Sequence, residues 1–232
     1  AGGMFHRARR RSTMGAIMAE MLIVNEIFLS LQGEGTRAGR PCVLVRLTGC
    51  DVGCRWCDTR HARDEGEEMT IDAIEAAVAQ FGCPLVEVTG GEPLMQAGAT
   101  ALLTVLCDAG YEVLLETSGA YDIAPVDPRV VRIVDVKCPS SGAAEAMRWS
   151  NLEGLRASDE VKFVLAGRDD YDYARAVLDR HRLAALCTVL MGPVAGHLEA
   201  AELAAWICED RLPVRLNLQL HKIIWPDRER GV

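Results

Sequence analysis

From residue 42 onward the chain repeats one pattern: a short β-branched run, a polar glycine-containing segment, then an amphipathic stretch. Residues 42–48 (CVLVRLT), 85–89 (LVEVT), 111–116 (YEVLLE), 130–136 (VVRIVDV), 161–165, 186–191 and 214–219 read as strands. Ile71, Ile74, Val78 and Phe81 follow helical spacing, with Thr70 as N-cap and Gly82 and Pro84 as the stop. Further helices are expected over 94–109, 169–181 and 197–208, and loop within 138–158. Strands alternating with helices predict an α/β fold, a parallel sheet with right-handed crossovers. The segments TGCDVGC, TGGEP, ETSG, VKCPSSG and MGPVAG fall just past the carboxyl ends of the strands. Sites in parallel α/β folds gather at that edge.

Composition narrows the function. The chain has 232 residues and a net charge of −8, with half its residues apolar, which fits a single domain over 21–232. There is no basic stripe for nucleic acid and no apolar run long enough to span a membrane. Nine cysteines, an odd number with no secretory signal, argue against a disulfide framework and for a reducing cytoplasm. Cys42, Cys83, Cys107, Cys138, Cys187 and Cys208 are scattered among apolar residues and read as small core hydrophobes. Residues 1–20, with Arg7, Arg9, Arg10 and Arg11, read as a disordered N-terminal extension or an expression remnant.

The other three cysteines stand together. Cys50, Cys54 and Cys57 form C-x3-C-x2-C directly after the 42–48 strand. Three thiolates on one loop are one ligand short of a closed tetrahedral site, and thiolates select soft ions and iron–sulfur clusters. A [4Fe–4S] cluster with one open iron and a structural zinc are the two readings, and no Cys or His has the spacing to complete the second.

The cysteine loop followed by GGEP resembles the radical S-adenosylmethionine (SAM) superfamily. LQGEG at 31–35, AGRPCVLVRLTGC at 38–50, CDT at 57–59, TGGEP at 89–93, DVKCPSSG at 135–142 and QLHK at 219–222 resemble, within it, the 7-carboxy-7-deazaguanine synthases of queuosine biosynthesis. The resemblance covers residues 22 to about 225 and implies an incomplete parallel (β/α) barrel of about six core strands. It implies a carbon–nitrogen lyase with three cofactors: a [4Fe–4S] cluster on Cys50, Cys54 and Cys57, SAM, and Mg²⁺. A 5′-deoxyadenosyl radical would abstract hydrogen from 6-carboxy-5,6,7,8-tetrahydropterin, and ring contraction with loss of ammonia would give 7-carboxy-7-deazaguanine. A homodimer and an electron donor such as a flavodoxin are also implied.

The same resemblance assigns residues. Trp56, Asp58, Gly90, Gly91, Glu92, Ser118, Asp135 and Lys137 would bind SAM, Thr59 would ligate Mg²⁺, and Leu31, Gln32, Gly33, Arg46 and Thr89 would hold the pterin. Several have a second reading. Glu92 caps the following helix or accepts from the SAM ammonium. Lys137 pairs with a carboxylate of SAM or with Asp135. Thr59 ligates the metal or bonds nearby backbone. Arg46, a guanidinium inside an apolar strand, grips a carboxylate or pairs internally with a residue such as Glu26. Cys138 reads as packing rather than as a further ligand. GPVAG at 192–196 is a weak adenine contact, and His221 is more simply a structural group.

Overall fold

A computed structural model describes residues 20–232, so the extension expected over 1–20 lies, apart from Glu20, outside it. The strands are β1 (Met21–Leu31), β2 (Pro41–Leu47), β3 (Glu67–Thr70), β4 (Leu85–Gly90), β5 (Glu112–Thr117), β6 (Val131–Asp135), β7 (Glu160–Leu165), β8 (Thr188–Pro193) and β9 (Arg215–Leu216). Between them run α1 (Ile71–Ala79), α2 (Ala99–Asp108), α3 (Arg168–His181), α4 (Leu183–Leu186), α5 (Ala200–Glu209) and α6 (Leu220–Ile224). One sheet orders the strands β3-β1-β2-β4-β5-β6-β7-β8-β9, parallel from β2 onward. It does not close: β3 and β9 are its edges. This is the incomplete barrel, with β2 and β4–β8 as its six core strands.

Two features differ from expectation. β1 and β3 add an antiparallel edge, and β9 is only two residues long. β1 pairs with β2 through a register shift between Val24 and Glu26, which sets Glu26 across from Arg46. β9 ends early because Asn217 and Gln219 turn away toward Glu34, their side-chain amides donating to its carboxylate at 2.8 and 2.9 Å. Leu220 N also donates to Gly33 O at 2.9 Å. The turn after the first strand thus meets the end of the last one through loop contacts rather than strand pairing.

The pleat sorts the residues. Side chains alternate across a strand, and one set is apolar: Val43 and Val45, Val86 and Val88, Val134 and Val136, Val161 and Phe163, all fully buried. They belong to two clusters, one with α1 and α2 (Ile71, Ile74, Leu102, Leu106), the other with α3 and α5 (Tyr171, Ala174, Leu203). Helix α1 starts where expected, the Thr70 hydroxyl accepting from Ala73 N at 3.2 Å. The alternate set (Arg46, Glu87 and Thr89, Glu116, Asp135, Lys162) lines the cavity inside the sheet.

Candidate active site

The inward residues and the loops at the carboxyl ends of the strands enclose a cavity of about 790 Å³. Leu31, Gln32, Gly33, Arg46, Cys50, Cys54, Trp56, Cys57, Asp58, Thr59, Thr89, Gly90, Gly91, Ser118, Asp135 and Lys137 all line it. The sequence-derived set is thereby brought together, with one exception, Glu92. Its carboxylate is fully buried and accepts from Leu94 N at 3.0 Å, Thr117 Oγ1 at 2.8 Å, Ser118 N at 2.7 Å and the Ser118 hydroxyl. With its acceptor sites taken, Glu92 caps the turn at Pro93–Met95 and ties the β4 loop to the β5 loop; the expected contact to a ligand ammonium is corrected to this structural role.

Gly90 and Gly91, expected at the SAM site, line the cavity and also have a packing role. A Cβ on Gly90, whose φ is 151°, would sit 2.1 Å from Leu47 O, and one on Gly91 would sit 2.2 Å from Gly49 O and 2.7 Å from Cys50 Cβ. Gly91 N donates to Leu47 O and Glu92 N to Gly49 O, at 3.1 and 2.8 Å. Glycine is needed there because the β4 loop packs onto the backbone that opens the cysteine loop. The loop's other end is held by the segment that follows β6: Arg55 N donates to Ser141 O at 3.0 Å, and the Arg60 guanidinium returns to Arg55 O at 2.7 Å.

Cys50, Cys54 and Cys57 are half-buried free thiols on this loop. Burial pushes the Cys54 thiol up, while the Lys137 ammonium pulls against it and favours the thiolate a metal needs. Among the described residues no three Cys, His, Asp or Glu side chains crowd around one point as ligands of a single ion do. The fit to an iron–sulfur cluster rests on donor chemistry: three soft thiols on one loop, open to the cavity. Beside them Lys137 pairs with Asp135 Oδ2 at 2.7 Å, while Asp135 Oδ1 is buried without a hydrogen-bond partner. A buried orphan acceptor at a cavity wall calls for a donor from a ligand. Cys138 is buried, its thiol pushed well above the usual range by desolvation, as packing requires.

Arg46 makes the internal pair: its Nε donates to Glu26 Oε1 at 2.8 Å, and His61 Nε2 stands 3.6 Å from the same oxygen. Glu26 Oε2 also accepts from Gly231 N at 3.2 Å, so the segment 226–232 lies along the cavity wall. Thr59 Oγ1 lies 3.8 Å from Cys57 Sγ and 3.4 Å from Gly90 O, a long bond that leaves the hydroxyl weakly engaged. Asp58, half-exposed, pairs with Lys222 Nζ at 3.0 Å.

Lys162, Glu34, Glu116 and Glu87 are four of the charged groups in the cavity that were not singled out from the sequence. Lys162 bridges Glu116 with Glu34 at 3.2 Å and Asp135 at 3.7 Å. Burial alone would strip its proton, but the three carboxylates outweigh that and hold its pKa well above the ordinary lysine value. Glu87 is the fourth. The signal was present: VEV, LET and VKF each carry a charge inside an apolar strand, as VRL does at Arg46.

A parallel α/β sheet with a three-cysteine loop after its first core strand and a polar cavity at its carboxyl edge defines a radical SAM fold, and residues 44–134 match that superfamily. The chain is 49% identical to the 7-carboxy-7-deazaguanine synthase of Chlorobaculum tepidum, over 91% of this chain and 97% of that one, and 42% identical to the one of Koribacter versatilis, over 90% and 99%. The chain belongs to the 7-carboxy-7-deazaguanine synthase family. Its fold is also that of QueE from Escherichia coli, with a TM-score of 0.74 at 23% identity, covering 90% of this chain and 98% of that one. As a radical SAM enzyme it uses a [4Fe–4S] cluster and SAM. Among the described residues no helix is long and apolar enough to cross a membrane.

Proposed function

We propose that the cavity converts 6-carboxy-5,6,7,8-tetrahydropterin to 7-carboxy-7-deazaguanine with loss of ammonia. The observation that carries this reading is the meeting, in one 790 Å³ cavity, of the three thiols with an array of donors and acceptors suited to a polar bicyclic acid. The cluster and SAM, when bound, supply a one-electron route to hydrogen-atom abstraction. Cys50, Cys54 and Cys57 hold the cluster. Asp135 and Lys137, with Trp56, Asp58, Gly90, Gly91 and Ser118 around them, orient SAM.

Gln32, Glu34 and Thr89 read the pterin edge, with the backbone of Leu31 and Gly33 beside them. Arg46 offers its guanidinium to the substrate carboxylate while Glu26 fixes its orientation. Against the upward push of burial, Lys162 pulls the Glu34 carboxyl below its usual range, so it stays an acceptor for ring N–H groups, with Glu116 paired to the same ammonium beside it. Thr59 offers a hard oxygen to Mg²⁺, an ion that keeps several waters and takes its other ligands from substrate. Held this way, the reacting carbon is fixed and bulk water is kept out. Arg55 and Arg60, exposed on the cysteine loop of a chain with net charge −8, suit an acidic electron donor such as a flavodoxin. The enzyme works in the cytoplasm as a homodimer.

Anaerobically reconstituted protein, given SAM, reductant, Mg²⁺ and the carboxy-tetrahydropterin, forms the deazaguanine. An intact cluster with no product would refute the reading. Cys54→Ala abolishes SAM cleavage, and Thr59→Ala weakens the Mg²⁺ response while leaving cleavage of SAM in place.

A further inference from the structure

Glu87 is a buried charged group on the cavity wall with no assigned task. It points inward from β4, two residues before Thr89, and is 2% exposed. Its register neighbours are Leu44 on β2 and Leu114 on β5, so it is a carboxyl set between two leucines. Lys162, the nearby cation, already answers Glu34, Glu116 and Asp135. Burying a further carboxyl there is unfavourable, and an apolar residue would serve stability better. Its recorded side-chain contact is a hydrogen bond from Gln32 Nε2. The other end of that amide is also fixed, Gln32 Oε1 accepting from Glu34 N at 3.1 Å.

We propose that Glu87 is a positioning residue of the substrate site, holding the Gln32 amide in one orientation so that one N–H and one lone pair remain for the ligand. Flipping the amide would set its NH₂ against the Glu34 N–H, a donor–donor mismatch in a buried place, while Glu87 accepts from the NH₂ end and stops the side chain swinging away. The free half of the amide then presents a donor beside an acceptor, the pattern that an amide–amidine edge of a pterin matches. This rests on the reading of the cavity as a pterin site.

The groups facing Glu87 are Gln32 and Glu34 from the β1 end, Cys42 on β2, Glu116 on β5 and Lys162 on β7. Burial first, then Glu116, push its carboxyl up to about 8, so it is neutral at pH 7. Above that pH it adds a negative charge to the cavity floor and repels a substrate that is itself a carboxylate.

The test compares wild type, E87Q and E87L as reconstituted holoenzymes between pH 6 and 9.5. At pH 7, E87L raises KM about tenfold with kcat held within about twofold, because a ground-state orienting contact is lost. E87Q, which still accepts from Gln32, brings KM back to within about twofold of wild type and removes the rise in KM above about pH 8. A KM unchanged in E87L, or an alkaline rise that survives in E87Q, overturns the proposal. The second arm uses no substrate: the Gln32 side-chain NH₂ resonances, assigned through Gln32→Ala, titrate near pH 8 in wild type and not in E87Q. Resonances that do not titrate in wild type also overturn it, even if E87L fails to fold. A wild type that binds and turns over no pterin sinks the functional reading instead, and the Glu87–Gln32 pairing is then decided by the resonances.

Discussion

The two faces of the central strands carry opposite chemistry within single residues of each other. On β7, Lys162 faces the cavity and Phe163 the helices; on β4, Glu87 and Thr89 face inward and Val86 and Val88 outward. The outward face is close-packed and apolar, so its contribution is area removed from water, insensitive to pH. The inward face buries Arg46, Glu87, Asp135 and Lys162 at exposures of 8% or less, which opposes folding unless each is answered. Charges placed where they do not favour the fold are there for a ligand, and the pleat lets one strand satisfy both demands.

The sharpest attempt to break this contrast uses two adjacent residues. Phe163→Ala opens a cavity in a fully packed layer and costs about 3–5 kcal/mol at any pH. Lys162→Met leaves Glu34, Glu116 and Asp135 without their shared cation, and breaking such a buried network costs a similar amount, about 3–5 kcal/mol, at pH 7.5. At pH 5 part of the second loss is recovered, because Glu34, which against burial Lys162 helps to hold below its usual value, takes up a proton more readily once that cation is gone, while the first loss is not recovered. Anaerobic urea titrations at the two pH values check this. Equal pH responses would erase the distinction between the faces.

Glu87 gives a smaller effect of known sign. Its native pKa of about 8 lies above the ordinary 4.5, so the folded chain holds a proton that the unfolded chain releases. That contribution is complete below about pH 4.5 and is lost as pH rises through about 8. Melting of wild type therefore falls by a few degrees across that window relative to E87Q, whose amide does not titrate. A wild-type curve parallel to that of E87Q would place Glu87 in a wetter, ionised setting.

How much of this could be read in advance follows the same division. β2 and β4–β8 were legible because a strand covered on both faces is a short, nearly continuous apolar run, as VLV and VLL are. β1 was not, since Asn25, Glu26 and Ser30 interrupt its pattern and a bulge shifts its register. β3, EEMT, has no signal of its own and exists as a partner for the β1 edge. β9 reads as a six-residue strand because nothing in 214–219 announces that Asn217 and Gln219 leave the sheet for Glu34, nearly two hundred residues earlier. In the site, motif residues arrived together because they share the carboxyl edge. Glu92 departed from expectation because a carboxylate followed by proline caps its own turn first. Lys162 and Glu116 were visible as charges in apolar strands, but which of them meet depends on the order of the strands.

The smallest prediction is the cleanest, because it exchanges two nearly identical side chains across one peptide. Val88, fully buried, points at the helices, and Thr89 lines the cavity. Val88→Thr sinks a hydroxyl into the apolar layer and costs about 1–3 kcal/mol, with kcat/KM unchanged in the folded fraction. Thr89→Val removes a hydroxyl from the cavity wall, leaves stability within about 0.5 kcal/mol and lowers kcat/KM about tenfold. The two variants change nearly the same atoms in opposite directions, so steric volume drops out of the comparison and only the face remains. Should Thr89→Val lose stability while Val88→Thr loses activity, the inward and outward assignments on β4 are reversed, and the cavity reading built on them goes too.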